Sequence, residues 1–186
     1  MSTRVPGFKG EYLWELDIAE GQLLLLAEAL PAEHYGWRPA DTARPVSEVL
    51  VHVATGNLTL LGVVGVEVAP DLYGVLEGPP ALHMMAMFAK NEGLEKSIAD
   101  KAAIIALLKR SLDAVRVAFT QASDAELHRQ DTFFGEPTTV RRVYMRVLTH
   151  MHEHMGQLIA YTRAMGMPAP WPDWRESGKR IVERGQ

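Results

Sequence analysis

Thr149-His150-Met151-His152-Glu153-His154-Met155-Gly156-Gln157 lies inside a long apolar run, Val140 to Met165, that holds no proline and one interior glycine. Such a run predicts a helix. Each helical residue turns the chain by about 100°, so His150 and His154 fall about 40° apart on one face, one turn from each other. Two imidazoles stacked in this way can share a metal ion. The same spacing also suits two polar residues near the end of a bundle. His152 points about 160° away and falls outside the pair.

Working outward, three more helices are expected. The first spans 8–30, where Leu13, Leu16, Leu23, Leu24, Ala27 and Leu30 repeat near the helical period and Pro31 ends the element. The loop 32–41 is rich in Gly, Pro and Asp, and its aromatic residues Tyr35 and Trp37 are expected to fold back on the bundle end. The second helix begins at Pro45, with Glu48 in its first turn and Val46, Val49, Leu50, Val53, Leu60 and Leu61 on its apolar faces. Gly56 and Gly62 each weaken it by about 1 kcal/mol relative to Ala, which predicts close packing or a bend there. The third runs from Asp100 to Gln121, capped by Ser97 or Asp100. Thr138 or Thr139 caps the last helix and Gly166 closes it. Residues 128–138 hold Phe133-Phe134-Gly135-Glu136-Pro137, which reads as a turn.

Between the second and third helices, 67–93 carries Pro70, Gly74, Gly78, Pro79 and Pro80 and reads as a long irregular connection. Its part 81–88 reads as a short helix or lid over one mouth of the bundle, with His83 either near a pocket or simply at the surface. The tail Pro168–Trp174 reads as extended and packed, and Arg175–Gln186 as a frayed or helical end. The expectation is one all-α domain over 1–186, a four-helix bundle with a long connection between helices 2 and 3.

Composition narrows the function. Hydrophobic residues at 47% imply a folded core. A net charge of −4 with scattered basic residues argues against a nucleic-acid partner. The absence of cysteine removes disulfides, thiolate catalysis and Cys-based metal sites. The N-terminus has no apolar signal core, and the apolar stretches are broken by Gly, Asn, Glu or His, so neither export nor a membrane span is expected. A cytoplasmic location fits these features.

Seven histidines remain. His34, His128 and His152 read as ordinary histidines with one hydrogen bond each. His52 is different, because Val51 and Val53 flank it on a helix that looks buried, and a buried imidazole needs partners for both ring nitrogens. One ion shared by His52, His150 and His154 would satisfy all three rings and leave a coordination position open, as catalytic sites do. Imidazole ligands suit Zn²⁺, Ni²⁺ or Fe²⁺. The methionines at 84, 85, 87, 145, 151 and 155 read as core filling. Asp17, Glu20 and Asp113 read as solvated charges.

Three stretches, Tyr35-Gly36-Trp37-Arg38-Pro39 leading to Val46–Ala54, His150 through Leu158, and Tyr161 through Trp171, together resemble the DinB/YfiT-like family of metal-binding four-helix bundles. The resemblance spans nearly the whole chain and departs at Pro45, where many members carry a Ser or Thr cap. It implies that one histidine of the second helix and two of the fourth, here His52, His150 and His154, bind a divalent metal. It also implies a small-molecule enzyme, most readily a thiol-S-transferase or isomerase using bacillithiol, mycothiol or glutathione. Gln157, one turn beyond His154, would then stand behind the ligands, and Tyr161 would face the pocket. A metal-dependent hydrolase and a non-catalytic metal-binding homodimer are the alternatives. A homodimer is expected in either case from the apolar surplus of the first two helices and the Trp171–Trp174 tail.

Overall fold

The computed structural model describes residues 7–67, 69–77 and 80–171. The chain runs α1 (Phe8–Ala29), a 3-10 turn (Ala32–His34), α2 (Val46–Val63), α3 (Pro70–Tyr73), α4 (Pro80–Ser97), α5 (Lys101–Gln121), α6 (Asp124–His128), β1 (Gln130–Phe133), β2 (Glu136–Thr139) and α7 (Val140–Ala164). α1 packs against α5 and α7, and α2 packs against the same two. These four close around one core and form the four-helix bundle. The expected tail at Pro172–Trp174 and the end Arg175–Gln186 lie outside the described residues, whereas Trp171 packs against the core.

Local signals set the helix ends. Asp100 accepts a hydrogen bond from the Ala103 amide at 2.8 Å and starts α5. Thr139 does the same for α7 through the Arg142 amide at 3.3 Å. At the far end of α7, Gly166 has φ 76°, and the amides of Gly166 and Met167 donate to the carbonyls of Arg163 and Thr162. That pair of bonds is a Schellman closure, which needs a residue free to adopt the left-handed region.

α2 is long and apolar enough to cross a membrane, with a mean hydropathy of 1.4, but 89% of it is buried inside the bundle. Its apolar surface is spent on α4, α5 and α7. This exceeds the apolar continuity expected from the sequence, and core packing accounts for it. It also removes α2 as a reason for dimerisation.

The 67–93 segment departs from its sequence reading. Its second half is not a short lid but α4, an 18-residue helix packed on α2 that ends at Ser97. Its buried face is Met84, Met87, Asn91 and Glu95, spaced at helical intervals. Two of those four are polar, so the face is invisible to an apolar-periodicity rule. The expected core methionines also divide, with Met84, Met87, Met151 and Met155 buried and Met85 and Met145 exposed. Asp17 and Glu20 are not merely solvated, because both pair with Arg116 of α5 at 2.7 and 2.6 Å. The turn expected at 133–137 is present as the tip of a small antiparallel hairpin, β1 to β2, in which Phe133 pairs with Glu136, and the short helix α6 precedes it.

The loop after α1 does fold back. The Tyr35 hydroxyl donates to the Ala27 carbonyl at 2.6 Å. The Trp37 ring meets the edge of Tyr161 at 5.3 Å, which ties the loop to α7.

Candidate metal centre

α2 and α7 pack side by side, and that contact brings His52, His150 and His154 together. One ligand nitrogen from each lies within 4.8 Å of the other two. The three ring centroids are 4.6–5.0 Å apart. Nε2 of His150 is 3.2 Å from Nε2 of His52.

Gly56 makes this approach possible. It lies one turn beyond His52 on α2, and the imidazole of His150 occupies the space where a side chain would begin. A Cβ at Gly56 would stand 2.4 Å from Cε1 of His150 and 3.0 Å from its Nδ1. The expected close packing at this glycine is therefore the seat of His150. Gly62 serves α4 in the same way, with a Cβ there 2.9 Å from Sδ of Met87.

Neighbours fix two of the three rings. Nδ1–H of His52 donates to Oε1 of Glu95 at 2.7 Å, and the other oxygen of Glu95 accepts from Nε of Arg44 at 2.8 Å. A carboxylate only accepts, so the proton of His52 sits on Nδ1 and its Nε2 lone pair faces the cluster. Nδ1–H of His154 donates to Oε1 of Gln157 at 2.9 Å. Gln157 then donates to the Tyr161 hydroxyl at 2.8 Å, which donates to the Arg44 carbonyl at 3.2 Å. The amide orientation follows from this chain and leaves the His154 Nε2 lone pair facing inward. Gln157 thus stands behind His154 as the sequence reading has it, whereas Tyr161, expected to face the pocket, does not line the cavity beside the cluster and instead backs Gln157.

His150 breaks the pattern. Its Nδ1 is buried without a hydrogen-bond partner, so the expectation of an outer acceptor for every ring holds for His52 and His154 alone.

Burial favours the neutral form of His150 and His154. Burial, then the neighbouring His154 and His52, push the pKa of His150 down to about 3. Burial also lowers that of His154, against the opposing effect of the hydrogen bond it donates to Gln157. Burial by itself would raise the carboxyl of Glu95, but the bonds and charges of His52 and Arg44 outweigh it and hold it below its ordinary value. His150 and His154 are therefore neutral at neutral pH, and the Glu95 carboxylate behind His52 is ionised. Three imidazole donors, two of them locked in the coordinating tautomer and the third given room by a missing Cβ, fit a divalent ion.

A cavity of about 450 Å³ opens beside the cluster. His52, Gly56 and His150 form part of its wall, and Leu60, Phe88, Phe133 and Phe134 form an apolar part. Arg44, Lys96 and Arg146 add positive charge, paired with Glu95, Glu92 and Glu153 respectively. His154 does not line it.

The other histidines stay apart. Exposed His152 and His128 donate from Nδ1 to the Leu148 and Asp124 carbonyls, at 2.8 and 2.7 Å. His83 is not near this pocket. It lines a separate cavity with Gly62, Glu67 and Pro70, and Gly62 lies ten residues along α2 from His52, roughly 15 Å away. Sequence reasoning missed Glu95 and Arg44, because Glu95 belongs to the polar-faced α4.

Known proteins agree with this architecture. A DinB-like protein from Bacillus cereus ATCC 10987 superposes with a TM-score of 0.65 at 16% identity, over 89% of this chain and 97% of its own. The DinB-like protein YjoA from Bacillus subtilis gives a TM-score of 0.54 at 20% identity, over 88% and 96%. The mycothiol-dependent maleylpyruvate isomerase gives 0.64 at 14% identity, over 85% of this chain and 63% of its own. At these identities the likeness is one of fold. No curated protein sequence matches the chain. The DinB superfamily model matches residues 15–158, most of the chain from α1 to the middle of α7. The protein belongs to the DinB superfamily.

Proposed function

We propose that the protein is a single-domain, metal-dependent enzyme that joins a low-molecular-weight thiol to a small molecule, or isomerises that molecule with the thiol's help. His52, His150 and His154 are the metal ligands. The observation that carries this reading is the convergence of three imidazoles, two of which, His52 and His150, stand on the wall of a cavity. A volume of about 450 Å³ suits a small molecule. A non-catalytic metal protein has no need of that opening, whereas an enzyme does. The thiol-dependent isomerase among the fold neighbours lends the reaction class some support.

A divalent ion in this position would favour the thiolate form of a bound thiol, the nucleophilic form. The chain's own residues do the rest. Glu95 and Gln157 hold His52 and His154 in the coordinating tautomer. Gly56 leaves room for His150. Arg44, Lys96 and Arg146 put cationic groups around a site that would hold an anionic sulfur. Leu60, Phe88, Phe133 and Phe134 give the cavity an apolar wall.

A thiol cosubstrate places the protein in the cytoplasm, where small thiols are kept reduced. We further propose a homodimer, paired through α1, where Ile18 and Leu25 share one exposed face. The function is tested by incubating the metal-loaded protein with mycothiol, bacillithiol or glutathione and a panel of small electrophiles, and following thiol consumption. Metal-dependent loss of one thiol supports the reading. A fully loaded protein that consumes none of them contradicts it.

A further inference from the structure

The hairpin turn carries a residue that its backbone does not favour. Phe134 and Gly135 are the two loop residues between Phe133 and Glu136, and both have positive φ, 52° and 81°. Two consecutive positive φ values mark the type I′ turn, whose first position favours Asn, Asp or Gly. A bulky side chain in the left-handed region is sterically strained. Nothing in the core calls for it, because Phe134 is 64% exposed. A strained residue that the fold does not require points to a use elsewhere.

That use is visible in the cavity. Phe134 lines it, and its ring lies nearly parallel to Phe88 of α4, with an interplanar angle of 8° and centroids 6.1 Å apart. Phe88 is itself 38% exposed. Phe133 sets its edge against Phe134 at 4.6 Å and steadies the ring. The imidazoles of His52 and His150 line the same cavity. A ligand reaching those histidines would therefore meet this stacked aromatic pair on the same cavity wall.

We propose that Phe88 and Phe134 form a stacking subsite that selects ligands with a planar, aromatic or conjugated body, and that Phe134 is kept in its strained position for this purpose. The subsite rests on the reading of this cavity as the substrate site, but it requires no ion.

The test uses two alcohols of equal carbon skeleton, planar 2-naphthol and puckered decahydro-2-naphthol, titrated into the purified full-length protein. Metal content is measured on the same sample, so a missing metal and a missing subsite are told apart. Stacking on the pair should favour 2-naphthol by about three- to ten-fold. In Phe134→Asn that preference should shrink to within about two-fold, while Tm holds or rises by about 1–3 °C because Asn suits the turn. Phe88→Leu, which leaves the turn untouched, should lose the preference as well. Equal affinities in the parent protein, or an unchanged preference in Phe134→Asn, would overturn the subsite. A Tm lowered by more than about 3 °C in Phe134→Asn would show that Phe134 serves the fold rather than the ligand.

Discussion

Substituting Gly56 by alanine tests the geometry of the site with one methyl group. The new Cβ would lie 2.4 Å from Cε1 of His150, and an ordinary contact begins near 3.4 Å. The imidazole must therefore retreat by about 1 Å, several times the tolerance of about 0.2 Å for a metal ligand. Two energies oppose each other in the fold. Alanine gains about 1 kcal/mol in helix propensity, and the overpacked, buried His150 costs about 1–3 kcal/mol. Net stability should therefore change by no more than about 2 kcal/mol. Metal affinity should fall much further, by at least tenfold, because one ligand of three is displaced. Gly62→Ala is the control, since its Cβ would meet only the flexible Met87 side chain and should leave metal affinity within about twofold. Equilibrium dialysis against Zn²⁺ gives the affinity, and thermal unfolding of the chelator-treated proteins gives the stability. A Gly56→Ala protein that folds and binds zinc as tightly as the parent would refute the proposed seat of His150.

Other outcomes follow from the same structure. Glu95→Gln should weaken metal binding by about 10- to 100-fold because His52 loses the carboxylate that orients it, whereas Glu92→Gln, which removes a surface pair with Lys96, should not; competition with a chromogenic chelator reads both. The folded-state pKa of His150 is depressed to about 3, so the unfolded chain takes up a proton first, near pH 6.5. The metal-free protein should hold its full stability above pH 6.5 and lose up to a few kcal/mol as pH falls towards 3, with His154 adding in the same direction; urea midpoints at pH 7.5 and 5 that coincide would contradict this. Light scattering at micromolar concentration should report a dimer, and Leu25→Lys should shift it towards monomer.

The elements with uniform apolar faces were legible in the sequence. α1, α2, α5 and α7 were each foreshadowed to within a few residues, because Leu23, Val49, Leu112 and Val147 recur with their neighbours at the helical period. His150 and His154 were legible for the same reason, since a helix converts a spacing of four into a shared face. Placing His52 opposite them took more, because spacing on one helix says nothing of its neighbour; an apolar setting and family likeness supplied that step. α4 was obscured by Asn91 and Glu95, which are buried for hydrogen bonding rather than for apolar contact. Asn91 donates to Thr59 and accepts from Tyr73, and Glu95 joins His52 to Arg44. A rule that counts apolar residues reads such a face as solvent-facing. The strain at Phe134 was equally hidden, because only the backbone reveals which turn residue takes a positive φ.

The central claim is that these three histidines share one ion, and metal analysis of five purified proteins tests it most directly. The parent and His152→Ala should each retain close to one divalent ion per chain, since His152 is exposed and bonds to the Leu148 carbonyl. His52→Ala, His150→Ala and His154→Ala should each lose it while keeping the helical far-UV spectrum of the parent. A parent protein that takes up no divalent metal, or three histidine variants that all keep a full complement, would contradict the account.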